Sequence, residues 1–385
     1  MAIRSDFGDR ELSLSLKEKI VQINWSLVLL LTMVAGIGVA MLYSAADGNL
    51  DPWAIRQVTR FGLGLGVLFI AALIDIRIWL RVAYPFYAIS IVLLVAVELF
   101  GAVGMGAQRW IDIGFMQLQP SEVMKVAVVL ALARYYHSMA DEDVGRITPL
   151  IIPLVMILAP VALVLRQPDL GTALLLLMVG GAMLFLAGVR LWKFAVVGAA
   201  AVSAVPIAFQ FLHPYQRNRV LTFFNPENDP LGSGYHILQS KIALGSGGMF
   251  GKGFLQGSQA HLNFLPEKQT DFIFTMLAEE FGLAGGLGLI VLYMLITAYG
   301  IVIGLVSRNQ FGRLVAIGLM TNFFFYVFIN IAMVMGMIPV VGVPLPLISY
   351  GGTAMLTLLL GFGIVMSVYI HREIRIPRRY PHHTP

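Results

Sequence analysis

The side chains best suited to chemistry in this chain crowd into residues 263–282, NFLPEKQTDFIFTMLAEEFG, where Glu267, Lys268 and Asp271 immediately precede a long apolar run. A carboxylate offers only acceptor lone pairs, so it serves as a general base or a ligand for cations and N–H groups. At the start of a helix, unused backbone N–H groups and the helix dipole favour its ionised form. Asp271 therefore has two readings, a cap on the helix that follows or a poised base. At about 100° per residue, Thr275, Ala278 and Gly282 share its face, a small polar surface suited to lining a cavity. Glu279 and Glu280 point elsewhere and must face water or pair with neighbouring helices.

Three further stretches compete for function. In AQRWIDIGFMQLQPSEVMK, residues 107–125, a proline at the first helical position leads into Glu122 and Lys125, three residues apart. A lysine in a membrane span costs roughly 2.5–3.5 kcal/mol on insertion scales, so this one is expected to pair internally or to face a polar site. Arg109, in the preceding loop, is free to meet an anion. RQPDLGTA, residues 166–173, sets Arg166 and Asp169 beside a helix break, where Asp169 is either a cap or a site residue. PVVGVPLPLISYGGT, residues 339–353, contains three prolines and three glycines and carries Ser349, a candidate for cavity support; it must be an ordered loop or re-entrant segment.

Several chemistries are excluded. The chain has no cysteine, hence no thiolate nucleophile, disulfide or Cys-based metal site. GSGGMFGKG at 245–253 fails the phosphate-loop pattern at Ser246 and Gly253 and reads as a flexible loop. The seven histidines form no HExxH pair, so no protein metal cage is visible, and no serine lies in a G-x-S-x-G setting.

The elements that position these residues lie in a membrane. Of 385 residues, 58% are hydrophobic and 12% charged, against roughly 25% charged in a soluble domain. Ten spans are expected, near 25–44, 57–74, 83–100, 121–137, 149–166, 170–188, 193–211, 271–305, 311–336 and 353–371. An even count puts both termini on one side. Arg77, Arg81, Arg134, Arg146, Arg190, Lys193, Arg308, Arg313, Arg372 and Arg375 fall on that side, whereas the short opposite loops hold Arg56, Arg60, Arg109 and Arg166. Both termini are therefore predicted to be cytoplasmic and a long loop, 212–270, to lie outside. The expected organisation is a retained cytoplasmic segment 1–24, one membrane domain 25–371 and a basic tail 372–385. The net charge of +5 follows from this topological bias and does not indicate nucleic-acid binding.

PEKQTDFIFTMLAEEFG resembles the signature of the SEDS family of polytopic membrane proteins, and QPSEVMK, QPDLGTA and PLPLISYGGT resemble its other hallmark segments in the same order. The resemblance covers essentially the whole chain, and NFLPEKQTDFIF with GFLQGSQAHL is most similar to the elongation branch. It implies an all-α integral membrane bundle of about ten helices. It also implies a peptidoglycan glycosyltransferase that polymerises lipid II into a nascent glycan strand at the outer face of the cytoplasmic membrane. The family's essential aspartate falls on Asp271, the expected base, and its Glu–Lys pair on Glu122 and Lys125. Arg109, Lys268, Arg217 and Arg219 are candidates for diphosphate recognition, with Glu267, Asp169 and Ser349 as neighbouring support. A divalent cation, Mg or Mn, would be bound mainly through the diphosphate. The expected partner is a class B penicillin-binding protein that cross-links the strand. A flippase of the lipid-linked precursor and a non-catalytic scaffold stand as alternatives; the gathering of polar groups at one face favours the enzyme.

Overall fold

The computed structural model describes residues 15–377 apart from 105–106, 113, 115–116, 141, 212–216, 218–220, 226–232 and 262–266. The helices are α1 Leu16–Val21, α2 Trp25–Ala45, α3 Ala54–Leu73, α4 Ile76–Phe100, α5 Pro120–His137, α6 Ile151–Arg166, α7 Leu170–Ala187, α8 Leu191–Phe211, α9 Ser233–Ser246, α10 Ser258–His261, α11 Ile273–Val306, α12 Gln310–Val334 and α13 Gly352–Ile370. Helices occupy all ten expected positions, and among the described residues eight are long and apolar enough to cross a membrane. The two others are α5, which carries Glu122, Lys125 and Arg134, and α8. Between α4 and α5 lies a small antiparallel sheet, β1 Ala102–Gly104, β2 Ala107–Asp112 and β3 Gln117–Leu118, in that order.

Polar side chains set several helix starts. Asn24 accepts from the Leu27 N–H, Asp75 from Arg77, Asp169 from Thr172 and Asn309 from Gly312. The Asp75 cap moves the start of α4 seven residues upstream of the expected position 83 and brings Arg77 and Arg81 into the helix. The hydropathy pattern stops at those charges, whereas the backbone continues through them.

Two expectations about the second half are corrected. The expected span 271–305 is interrupted at Gly282, whose φ of 67° and ψ of −164° break the helix. The glycine-rich stretch read as a flexible loop is bonded into that break. Lys252 and Gly253 donate their N–H groups to the Glu279 and Glu280 carbonyls at 3.0 Å each, and Leu283 and Ala284 donate to Gly248 and Met249 at 2.9 and 3.0 Å. A break inside a span is tolerated only when such partners replace the lost helical bonds. Gly251 is held at φ +80°, and a Cβ there would sit 2.1 Å from the Glu280 carbonyl oxygen, which accounts for the glycine. The expected long loop 212–270 thus contains α9, a segment inserted against α11, and α10. Met249 and Phe250 of this segment are 62% and 83% exposed, placing apolar side chains on the surface of the bundle.

Residues 339–351 form no helix yet are largely buried, with Val343, Leu345, Leu347 and Ile348 at most 2% exposed. This is the ordered irregular segment the prolines and glycines required. It passes close to α2 at Gly38, where a Cβ would meet the Leu347 carbonyl oxygen at 2.7 Å.

Candidate active site

Buried irregular backbone leaves carbonyls and N–H groups that the fold must satisfy. Here side chains from three helices do so. Gln57 of α3 donates to the Leu347 and Ser349 carbonyls at 3.3 and 3.1 Å, Tyr293 of α11 to Pro346 at 2.6 Å, and Asn330 of α12 to Val343 at 2.7 Å. Asn330 also donates to the Asp271 carbonyl at 3.0 Å. Ser349 Oγ donates to the Thr270 carbonyl at 2.6 Å, and the Tyr350 N–H to Gln269 at 2.8 Å. The turn 267–272 is therefore stapled to the 339–351 segment.

Asp271 sits in that turn, partly exposed, with its carboxylate toward Gly342: a Cβ there would lie 3.4 Å from Oδ2. The capping reading is not borne out, because the N-cap of α11 is Phe272 and no side chain caps it. The face shared by Thr275, Ala278 and Gly282 does not line a cavity. Thr275 is fully buried and hydrogen-bonded to Ser240 of α9 at 2.9 Å, and Gly282 packs on 249–251.

Beside this turn, at the same end of the bundle, Lys125 donates to Glu122 Oε1 at 2.6 Å. Tyr326 of α12 donates to Glu122 Oε2 at 2.6 Å, and its ring lies 4.2 Å below Lys125 Nζ. The pair is 5% and 1% exposed, so the fold matches the internal salt bridge anticipated for it. It also borders a narrow cavity of about 30 Å³ lined by Asn322, Tyr326, Ser349, Thr357 and the prolines of 344–346, room for one or two waters.

The remaining candidates divide. Asp169 caps α7 and accepts from the Thr172 hydroxyl at 2.9 Å. Arg109 is not free, since Nε and Nη2 donate to the Gln167 and Pro168 carbonyls at 3.2 and 2.5 Å, with Asp169 at 3.9 Å. The two form an ordered pair, Arg109 in β2 and Asp169 at the start of α7. Glu267 accepts from Thr270 Oγ1 at 3.0 Å inside the turn, and Lys268 is buried there. Ser349 is a buried staple bordering the cavity. Arg217 is exposed and lies over Phe209 at 5.0 Å, and Arg219 falls outside the described residues. Glu279 and Glu280 are buried: Glu279 pairs with Lys252 at 2.7 Å, and Glu280 accepts from the Ser44 hydroxyl.

Residues 18–374 match the family model of cell cycle proteins that groups FtsW, RodA and SpoVE. The chain belongs to this family, the SEDS proteins. The SEDS relatives include the peptidoglycan glycosyltransferase MrdB of Escherichia coli K12, 46% identical over 92% of this chain and 95% of the relative. Stage V sporulation protein E of Bacillus subtilis is 35% identical over 89% and 95%. Among solved structures, a chain of a complex described as a peptidoglycan synthase coordinating polymerization and crosslinking aligns with TM-score 0.78 and 33% identity, over 91% of this chain and 98% of that one. The rod shape determining protein RodA of Thermus thermophilus aligns with TM-score 0.69 and 30% identity, over 91% and 97%.

Sequence reasoning about this SEDS chain missed Asn330, Gln57, Tyr293 and Tyr326. For Asn330 the available signal was a polar side chain isolated in an apolar span, FINIAMV; Gln57, in the polar stretch RQVTRF, gave none.

Proposed function

We propose that this chain is a peptidoglycan glycosyltransferase that polymerises lipid II during cell elongation, with Asp271 as general base. The observation that carries the reading is the stapled turn, which fixes Asp271 against the 339–351 segment beside the Glu122–Lys125 cavity. Fixing a base in this way lowers the reorganisation needed at the reacting centre. In the proposed step, Asp271 takes the proton of an acceptor sugar hydroxyl as its oxygen bonds to the anomeric carbon of the donor. The bond from that carbon to the polyprenyl diphosphate breaks, and direct displacement inverts the centre. Glu122, Lys125 and Tyr326 hold the adjacent wall.

Among the described residues no three carboxylates or imidazoles converge as a metal cage. In this proposal a divalent cation arrives on the diphosphate. The basic ends Arg134, Arg146, Arg190, Arg308 and Arg372 are assigned to the cytoplasm and the Asp271 end to the outer face. The chain has no Ser-x-x-Lys transpeptidase site in its reading, and it is assigned a class B penicillin-binding protein as cross-linking partner.

The test is glycan synthesis from purified lipid II by the full chain, with its cognate penicillin-binding protein made glycosyltransferase-free. Polymer should form, stop on chelation and return with Mg or Mn. No polymer while the partner remains bound would contradict the enzymatic reading.

A further inference from the structure

Most cations buried in or bordering the Asp271 end of the bundle have a carboxylate within reach. Lys125 meets Glu122 at 2.6 Å, Lys252 meets Glu279 at 2.7 Å, Arg166 meets Glu98 at 3.5 Å and Arg109 meets Asp169 at 3.9 Å. Arg60, in the second turn of α3, differs. Its guanidinium lies over the Tyr350 ring, 4.4 Å from the centroid, and against Gly352, where a Cβ would come within 3.2 Å of Nε. Its Nη1 is buried with no hydrogen-bond partner among the described residues.

A cation inside a span is costly unless something compensates it. Stacking on tyrosine offsets part of that cost, but it occupies the face of the guanidinium and leaves the in-plane N–H donors unused. One helical turn earlier, Gln57 is fully buried and clamps α3 to the Leu347 and Ser349 carbonyls, which fixes where Arg60 stands. Gln57 Oε1 has no donor. This turn of α3 thus presents unsatisfied donors and an unsatisfied acceptor three residues apart, on adjacent positions of one face. The site is joined to the reaction centre through Tyr350, whose N–H donates to Gln269, two residues before Asp271.

We propose that Arg60, which is partly exposed, binds a phosphate group carried by a lipid. A planar guanidinium held on a tyrosine face matches phosphate oxygens with two parallel N–H donors, which a lysine ammonium does not reproduce. Under the glycosyltransferase reading, on which this identity rests, the ligand is the polyprenyl diphosphate of a substrate. An acidic phospholipid headgroup offers the same chemistry.

The experiment measures binding of undecaprenyl diphosphate and, separately, phosphatidylglycerol to the full chain in neutral detergent, for wild type, Arg60→Gln and Arg60→Lys. Arg60→Gln should weaken binding about tenfold or more, the loss expected of one charge-assisted hydrogen bond, and Arg60→Lys should be weakened to a lesser degree. A loss confined to the diphosphate lipid assigns the site to substrate, and a loss confined to phosphatidylglycerol assigns it to a headgroup; either supports a phosphate site. Unchanged affinity for both lipids in Arg60→Gln, or in Arg60→Lys should the first variant fail to fold, overturns it. Because the readout is binding, a wild type that binds yet makes no polymer would count against the catalytic reading alone.

Discussion

Among the described residues, two buried glutamates pair with a lysine, and they use their hydrogen-bonding capacity differently. Glu279 is fully buried, and its two oxygens accept from Lys252 Nζ at 2.7 Å, Ser258 Oγ at 3.1 Å and the Gln259 N–H at 3.1 and 3.2 Å. The Gln259 N–H is shared between the two oxygens, so three donors from one segment meet this carboxylate. It ties the 252–259 segment to the interrupted α11. Glu122 accepts only from Lys125 and Tyr326, and one donor of the Lys125 ammonium meets Glu122 while the cavity opens beside the pair. Glu279 thus ties two segments of the fold together, whereas Glu122 has fewer donors and stands beside a cavity.

The sharpest way to test that contrast is to remove one lysine at a time. Lys125→Met leaves Glu122 buried without its cation and should cost roughly 3–5 kcal/mol, seen as a large fall in melting temperature together with loss of polymerisation. The double change Glu122→Leu with Lys125→Met should recover the melting temperature without the activity. Lys252→Met is expected to cost less, about 1–3 kcal/mol, because that lysine side chain is 30% exposed and solvent screens it. Here the double change with Glu279→Leu should return both stability and polymer. A double variant at 252 and 279 that folds but makes no polymer would erase the distinction between the pairs.

Asn330→Ala tests the staple. It leaves the Asp271 and Val343 carbonyls without their donor, for about 1–3 kcal/mol, and should appear as a fall in kcat of tenfold or more with a smaller change in KM. Tyr326→Phe is the mildest change: it deletes the bond to Glu122 but keeps the ring under Lys125, and should cost about 1 kcal/mol in thermal unfolding. Tyr326→Leu, which removes both contacts, should exceed it.

Much of this architecture is legible in the sequence, because apolar length and the breaks at Pro168 and at 339–346 are properties of the chain itself. The helix positions and the grouping of Asp271, Glu122, Lys125 and Asp169 at one end follow from them. The interruption at Gly282 is not legible, since glycine is common within spans and its positive φ is imposed by the 247–253 segment packed against it. Nor are the roles of Asn330 and Gln57, whose partners lie 13 to 292 residues away. The capping reading of Asp271 failed because the turn 267–272 places Phe272 at the N-cap.

The central claim is that Asp271 is the base held in this turn. Its most direct test compares glycan polymerisation by wild type and Asp271→Asn, each in complex with the partner transpeptidase and matched for melting temperature. The account predicts polymer from wild type and none from the folded, partner-bound variant. Equal polymer from both would contradict it.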